Sequence, residues 1–392
     1  MRNDLQAFYS TTGYRVLREQ CWGKRWVNGY QQSQNKWLRH NLKQRGNSQN
    51  LLAFIPPRED IEKDPFALDR KKALTLENGA PGFDMHAPPL RVLTLLVRHG
   101  TQKYPTAWQD LRAMFAHQLP DVAHRMLVID NSLPVGHGSD LDREVELIGA
   151  SNVDWEFSAW DCGINHIGAK LHDYDLVHLA TSAFAASTPD HLKLIDGGSL
   201  RSLLGLQGAL GRVDFHDEAI SIFGIASQAW LRSSFILMRP RQLSSLGSLV
   251  SVGRNTPIFS GNPQQPFRED APISQGCQRF LLRWLTGDGG SKWTVWHSRF
   301  DLTPETLPFF ESKARAILNE QMLTNRLLAN GCAPVDMTWL ALKVRAASTE
   351  PGNYVPDRDI PDWRVQITSR ARPKRTLTQK LRRQWLKLMS RQ

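Results

Sequence analysis

From residue 90 onward, short unbroken apolar runs alternate with stretches in which apolar residues recur every three or four positions. LRVLTLLVRHG at 90–100 is an apolar run closing in a turn, the pattern of a parallel strand buried on both faces. In the segment that follows, Trp108, Leu111, Met114 and Phe115 share one side of a helix that Pro120 ends. HRMLVIDNS predicts a second buried strand, EVELIGAS a third, FSAWDCGINHIGAKL a helix with small residues on its packing side, and YDLVHLATSAF a fourth strand. Strands and helices alternating through short loops predict an α/β fold built on a doubly wound parallel sheet, because each crossover helix returns the chain to start another parallel strand.

The flanks read differently. Residues 1–88 are polar and rich in Gln and Asn, with IPPRED and HAPPL as breaks, and predict an extension or linker. The α/β domain is set at 89–275, a helical C-terminal part of the same domain at 276–348, and a linker with a basic tail at 349–392. Within the domain, 196–211 predicts loop and helix, and 228–251 a strand followed after Pro240 by a short helix. Residues 254–276 predict a loop, and helices are expected at 277–286 and 304–330.

Charge changes this picture only at the ends. The chain carries a formal +11, but residues 1–50 hold nine Lys/Arg against two Asp/Glu and residues 364–392 hold ten against none. The stretch between is mildly acidic, which argues against a nucleic-acid channel through the domain. In TLTQKLRRQWLKLMS a helix would place Leu377, Leu381, Trp385 and Leu388 in one quadrant and Lys380, Arg383 and Lys387 in another, a pattern suited to an anionic membrane surface; a solvated tail with accidental periodicity, favoured by Leu386 on the far side, is the alternative. No secretory leader or spanning run is recognised, so a cytoplasmic protein, peripheral on the inner face of the plasma membrane, is expected. The four cysteines show no C-x-x-C spacing and predict neither disulfide framework nor zinc site.

In a doubly wound sheet ligands lie beyond the carboxyl ends of the strands. That rule selects Arg98 and His99, Asp130 and Asn131, and Thr181 and Ser182. With VIDNS, EFSAWDCGINHIG and SSFILMRPRQLSSLG in these positions, residues 91 to about 250 resemble the GT-A glycosyltransferases of bacterial polysaccharide and lipopolysaccharide assembly. The resemblance implies a Rossmann-like GT-A fold that takes a nucleotide-sugar donor and a saccharide or lipid-linked acceptor. It assigns Asp130 and Asn131 to the nucleoside, Glu156, Ser158 and Asp161 to the diphosphate, and Arg232 to the acceptor side. It also implies Mg2+ or Mn2+ on an Asp-x-Asp at the end of the fourth strand, where this chain has HLATSAF. DYD at Asp173 and Asp175 and DLD at Asp140 and Asp142 have the spacing, and a metal-independent site using His178, Thr181, Ser182 and basic side chains is the alternative.

Glycosyl transfer needs a base for the acceptor hydroxyl. VDFHDEAISIFG offers Asp214, and its His216, Asp217 and Glu218 are the catalytic candidates; a solvated acidic loop is the competing reading of the same residues. WTVWHSRFDLTPE offers Trp296 and His297 to stack on an acceptor sugar, or else forms a half-buried strand with a core histidine. LLVRHGT also resembles the nucleophile motif of histidine phosphatases, with His99 as phosphoryl acceptor and His178 as the only strand-end partner. A non-catalytic scaffold of the same fold is the third reading.

Overall fold

The computed structural model describes residues 88–187, 192–286, 300–348 and 360–368. The polar extension at 1–87, Trp296, His297 and the basic tail from 369 onward lie outside the described residues.

Eight strands form one sheet: β1 (Leu90–Arg98), β2 (Val122–Asp130), β3 (Gly138–Asp142), β4 (Val145–Gly149), β5 (Leu176–Thr181), β6 (Gly208–Ile222), β7 (Ile225–Met238) and β10 (Ala333–Asp336). Their spatial order is β10-β6-β7-β5-β1-β2-β4-β3. A separate hairpin joins β8 (Phe259–Asn262) to β9 (Gln265–Phe267). β1 pairs in parallel with both β2 and β5, and β2 in parallel with β4. β7 runs antiparallel between β5 and β6, and β3 runs antiparallel on the edge. The expected wholly parallel sheet is therefore a mixed, mostly parallel one.

The alternation of β1 explains its two faces. Leu93, Leu95 and Val97 meet helix α2 (Trp155–Ile167) through Phe157 and Trp160. Val92 and Leu96 point the other way, toward Leu111 and Phe115 of α1 (Ala107–Gln118). Trp160 also donates Nε1–H to Leu95 O at 3.0 Å, so this fully buried indole brings its polar atom a partner. Gly163 of α2 lies directly over Ile129 of β2, where a Cβ would collide with the Ile129 Cδ1 methyl.

Further helices are α3 (Gly197–Leu204), α4 (Pro240–Ser244), α5 (Gln275–Thr286), α6 (Leu307–Ala329), α7 (Met337–Ser348) and α8 (Trp363–Thr368), besides a short turn of helix at Phe184–Ser187 and a 3-10 helix at Gly168–Asp173. The 23 residues of α6 span about 35 Å. Its first half, with Leu307, Phe310, Ala314 and Leu318, joins a second core made of the far end of the β6–β7 hairpin, β8–β9 and α5. Its second half, through Leu323 and Leu327, packs on the sheet. Part of the stretch read as linker is docked: in α8, Gln366 accepts from Asp336 N at 2.6 Å and donates to Pro334 O at 3.0 Å. No helix among the described residues is long and apolar enough to cross a membrane.

Candidate functional site

The chain leaves β1 for β2 on one side and later returns to β5 on the other, so the loops after β1 and β5 diverge above the carboxyl edge. Asp130 ties the near side of this edge together. Its Oδ2 accepts from Arg98 Nε at 2.7 Å, and its Oδ1 accepts from Gly100 N at 2.9 Å, Ser132 N at 2.9 Å and Ser132 Oγ at 2.7 Å. Burial alone would raise its pKa, and the bonds from Ser132, Gly100 and Arg98 outweigh that, leaving it below the usual carboxylate range. Gly100 has φ +65°, which favours glycine at this turn. Arg98 is buried and His99 exposed. Asn131 donates Nδ2–H to Asn152 Oδ1 at 2.9 Å and Trp155 O at 3.2 Å, anchoring the entry to α2. Thr181 and Ser182, both partly exposed, finish β5, and Ser182 N donates to Val97 O at 2.8 Å.

At the start of α2, Trp155 takes φ +56°, an unfavourable conformation for an aromatic residue. Its carbonyl accepts from Asn131 and from Ser158 Oγ at 3.2 Å, and Lys313 Nζ stands 3.6 Å from its ring centroid. Ser158 is thereby used as a brace, also accepting from Asp154 N at 3.0 Å. Asp161 braces another loop, accepting from Ser248 Oγ at 2.6 Å and Leu249 N at 2.7 Å. Of the three α2 residues assigned to the diphosphate, only Glu156 joins the polar cluster described next.

That cluster arises from an irregularity in β6–β7. The register slips where Gly211 pairs with Ile236 but Val213 pairs with Leu231, so Arg232–Ser234 bow out of the ladder. Backbone groups in and beside this bow turn to α6: Leu231 N donates to Thr324 Oγ1 at 2.9 Å and Ser233 N to Glu320 Oε1 at 2.6 Å. Trp230 Nε1 donates to Glu320 Oε2 at 3.0 Å. Ser233 Oγ lies 2.8 Å from Glu320 Oε1 and 3.0 Å from Glu156 Oε1. A hydroxyl carries one proton, so the two carboxyl groups are linked through it as a short chain.

Glu320 and Lys313 lie on one stripe of α6, seven residues apart, and both are partly exposed. Burial raises Glu320 to about 7, with Ser233 and Arg232 working against the rise and Glu156 adding to it. Burial lowers Lys313 to about 7, Glu156 and Glu320 opposing the fall and the nearby Lys103 of the β1–α1 loop adding to it. A carboxyl group that gains and loses a proton near neutrality is suited to general-base work.

The sequence-selected base candidates sit otherwise. Asp214 is buried and ion-paired with Arg232, with Arg212 Nε at 3.5 Å, so Arg232 serves this pair. His216 is packed between Trp230 and Phe280, with ring centroids at 4.5 and 4.4 Å. Burial lowers its pKa to about 4, Gln321 and Asp214 opposing the shift. Asp217 and Glu218 are exposed where the hairpin register shifts again. Burial and the neighbouring Glu218 raise the Asp217 pKa.

Neither Asp-x-Asp pair reaches this edge. Asp175 accepts from Arg91 N at 2.7 Å beside the start of β1, and Asp142 pairs with Arg112 opposite Val145, the first residue of β4; both lie toward the amino edge. His178 lies inside the sheet, fully buried, with Nδ1 3.1 Å from Thr94 Oγ1 and its pKa held well below normal by burial. It offers no second histidine to His99, and the phosphatase reading loses its partner.

Glu320, Lys313, Ser233 and Lys103 escape the sequence reading. The available signal was the charged stripe at 313 and 320 on a helix whose residues 318, 319 and 321–325 are all buried.

No protein-family model matches the chain, and no curated protein matches it. Comparison with solved structures finds the mannosyltransferase PcManGT from Pyrobaculum calidifontis in complex with GDP-Man and Mn2+, at 11% identity and a TM-score of 0.25, over 74% of this chain and 84% of that one. At that TM-score the likeness carries no argument, and the site is argued from its own residues.

Proposed function

We propose that the protein is a glycosyltransferase that binds a nucleotide-sugar donor over the carboxyl ends of β1 and β5. The observation that carries this reading is Glu320: a carboxyl group raised to about 7, linked through Ser233 to Glu156, on the wall beside a topological switch point. In the transfer, the acceptor oxygen attacks the anomeric carbon, the bond from that carbon to the diphosphate oxygen breaks, and the nucleoside diphosphate leaves with the bonding pair. The acceptor proton passes to Glu320, with Ser233 and Glu156 able to share it. Trp155 and Asn131 shape the donor side. The resemblance seen in the sequence makes that acceptor a saccharide or lipid-linked saccharide of a bacterial surface polysaccharide. The basic tail would hold the enzyme at the membrane that carries it.

Release of the nucleotide from a panel of UDP-, GDP-, dTDP- and CMP-sugars tests the activity, with and without simple sugar acceptors. Turnover of at least one donor, lowered by about two to four orders of magnitude in Glu320→Gln while donor binding persists, is expected. Folded protein that neither binds nor turns over any donor overturns the reading. For the tail, less co-sedimentation with anionic vesicles is expected from a chain ending at Thr368 than from the full chain; equal binding removes the tail from the mechanism.

A further inference from the structure

The fold that the sequence resembles implies Mg2+ or Mn2+ on the sugar diphosphate, and the residues here do not fit such an ion. The strand that should present its carboxylates ends Thr181–Ser182–Ala183, and both Asp-x-Asp pairs lie toward the amino edge. Of the carboxyl groups at this edge, Asp130 is taken up by Arg98, Gly100 and Ser132, Glu320 already accepts from Trp230 Nε1, Ser233 N and Ser233 Oγ, and Glu156 shares the same serine. Among the described residues, no three His, Cys, Asp or Glu side chains gather as metal ligands would.

What converges on this edge is ammonium groups from two separate elements. Lys313 reaches from α6 to the first residue of α2, and Lys103 comes from the loop after β1, close enough for each to feel the other's charge. Lys313 stands beside the N-terminal turn of a 13-residue helix, whose free N–H groups and dipole add to the attraction for an anion. Two like charges brought together in a crevice raise each other's cost, and a bound diphosphate relieves it. The strained Trp155 backbone fixes the platform on which the Lys313 ammonium rests, so the cation is placed before the ligand arrives.

We infer that Lys313, aided by Lys103 and the first turn of α2, holds the diphosphate of the donor in the place a divalent cation would occupy, so that binding and departure of the nucleoside diphosphate need no metal. The inference rests on the nucleotide-sugar reading of the site. Lys313 then neutralises the charge that builds on the diphosphate as its bond to the anomeric carbon breaks.

Calorimetry of the full chain with UDP, GDP and dTDP, and with inorganic pyrophosphate, each in EDTA and again with excess Mn2+, tests this. The expected result is binding of at least one nucleotide in EDTA, changed less than about twofold by Mn2+. Lys313→Ala is expected to weaken it by about thirtyfold or more and Lys313→Arg far less, the loss persisting for pyrophosphate. Binding that appears only with Mn2+, or equal affinity in folded Lys313→Ala, overturns the inference and leaves the glycosyltransferase reading standing. Absence of binding by every probe under both conditions overturns the two together. Because the EDTA and Mn2+ arms use the unaltered protein, the result does not depend on the variants folding.

Discussion

The two halves of the sheet are built on opposite terms. In β1, β2, β4 and β5 the parallel ladders run without a register shift, and apolar side chains fill both faces. The polar groups buried there bond locally: Thr94 Oγ1 lies 2.7 Å from His124 Nε2 and 3.1 Å from His178 Nδ1, with Phe115 stacked on His124. In β6 and β7 the ladder breaks twice, and charged residues, Arg212, Asp214 and Arg232, are held inside. The regular half is a platform whose order serves stability. The irregular half gives up ladder hydrogen bonds so that its backbone can turn to α6 and set Glu320 in place.

If that division is right, changes in the two halves separate activity from stability. Glu320→Gln is expected to lower turnover by about two to four orders of magnitude, because the base is lost while shape is kept. Donor affinity should stay within a few-fold, and the kcat/KM loss should appear in kcat. A variant with unchanged kcat would place the base elsewhere and break the comparison on its catalytic side.

Trp160→Ala, in the regular half, is expected to cost about 3 to 5 kcal/mol of stability, measured from the denaturant midpoint. It removes a fully buried indole together with its hydrogen bond to the Leu95 carbonyl. Turnover at a temperature where it stays folded should remain near wild type.

The halves should also respond to pH with opposite signs. Burial holds His124 near 3, and burial holds His178 well below its normal value, so the unfolded chain takes up protons that the fold refuses. Stability from this half is full above about 6.5 and is lost as pH falls toward 3. Glu320 does the reverse: raised to about 7 from 4.5, it keeps a proton the unfolded chain has lost, and its term declines as pH rises through that window. Stability measured from pH 4.5 to 7 should therefore rise more steeply in Glu320→Gln than in the wild type. Parallel curves would mean that Glu320 titrates normally in the fold.

The smallest effect belongs to the exposed hairpin. Asp217→Asn and Glu218→Gln are each expected to change kcat less than about threefold. A hundredfold loss in either would return the base to the segment first selected from the sequence.

How much could be read in advance follows the same division. The runs at 90–98, 124–130 and 176–181 are apolar with little interruption, and Trp108, Leu111 and Phe115 keep a helical period, so the regular half and the edge bearing Arg98, Asp130 and Ser182 were legible. β6 was not, because Arg212, Asp214 and His216 alternate along it like a solvated acidic segment, and only the facing arginines make their burial tolerable. β10 spans only Ala333–Asp336, too few residues to show a period. Asp161 and Ser158 had the residue types of a phosphate loop but are taken up by loops 87 residues and three residues away in sequence. Glu320 was hidden because its partners, Trp230 and Ser233, lie about ninety positions earlier and meet it only through the bulge.

A crystal structure of the protein with the nucleoside diphosphate that calorimetry selects tests the site most directly. Diphosphate oxygens over the ends of β1 and β5, within hydrogen-bond reach of Lys313 Nζ and with Glu320 facing the anomeric side, are the expected result. A nucleotide seated at the amino edge beside Asp175, or a diphosphate carried by Asp217 and Glu218 through a cation, would contradict it.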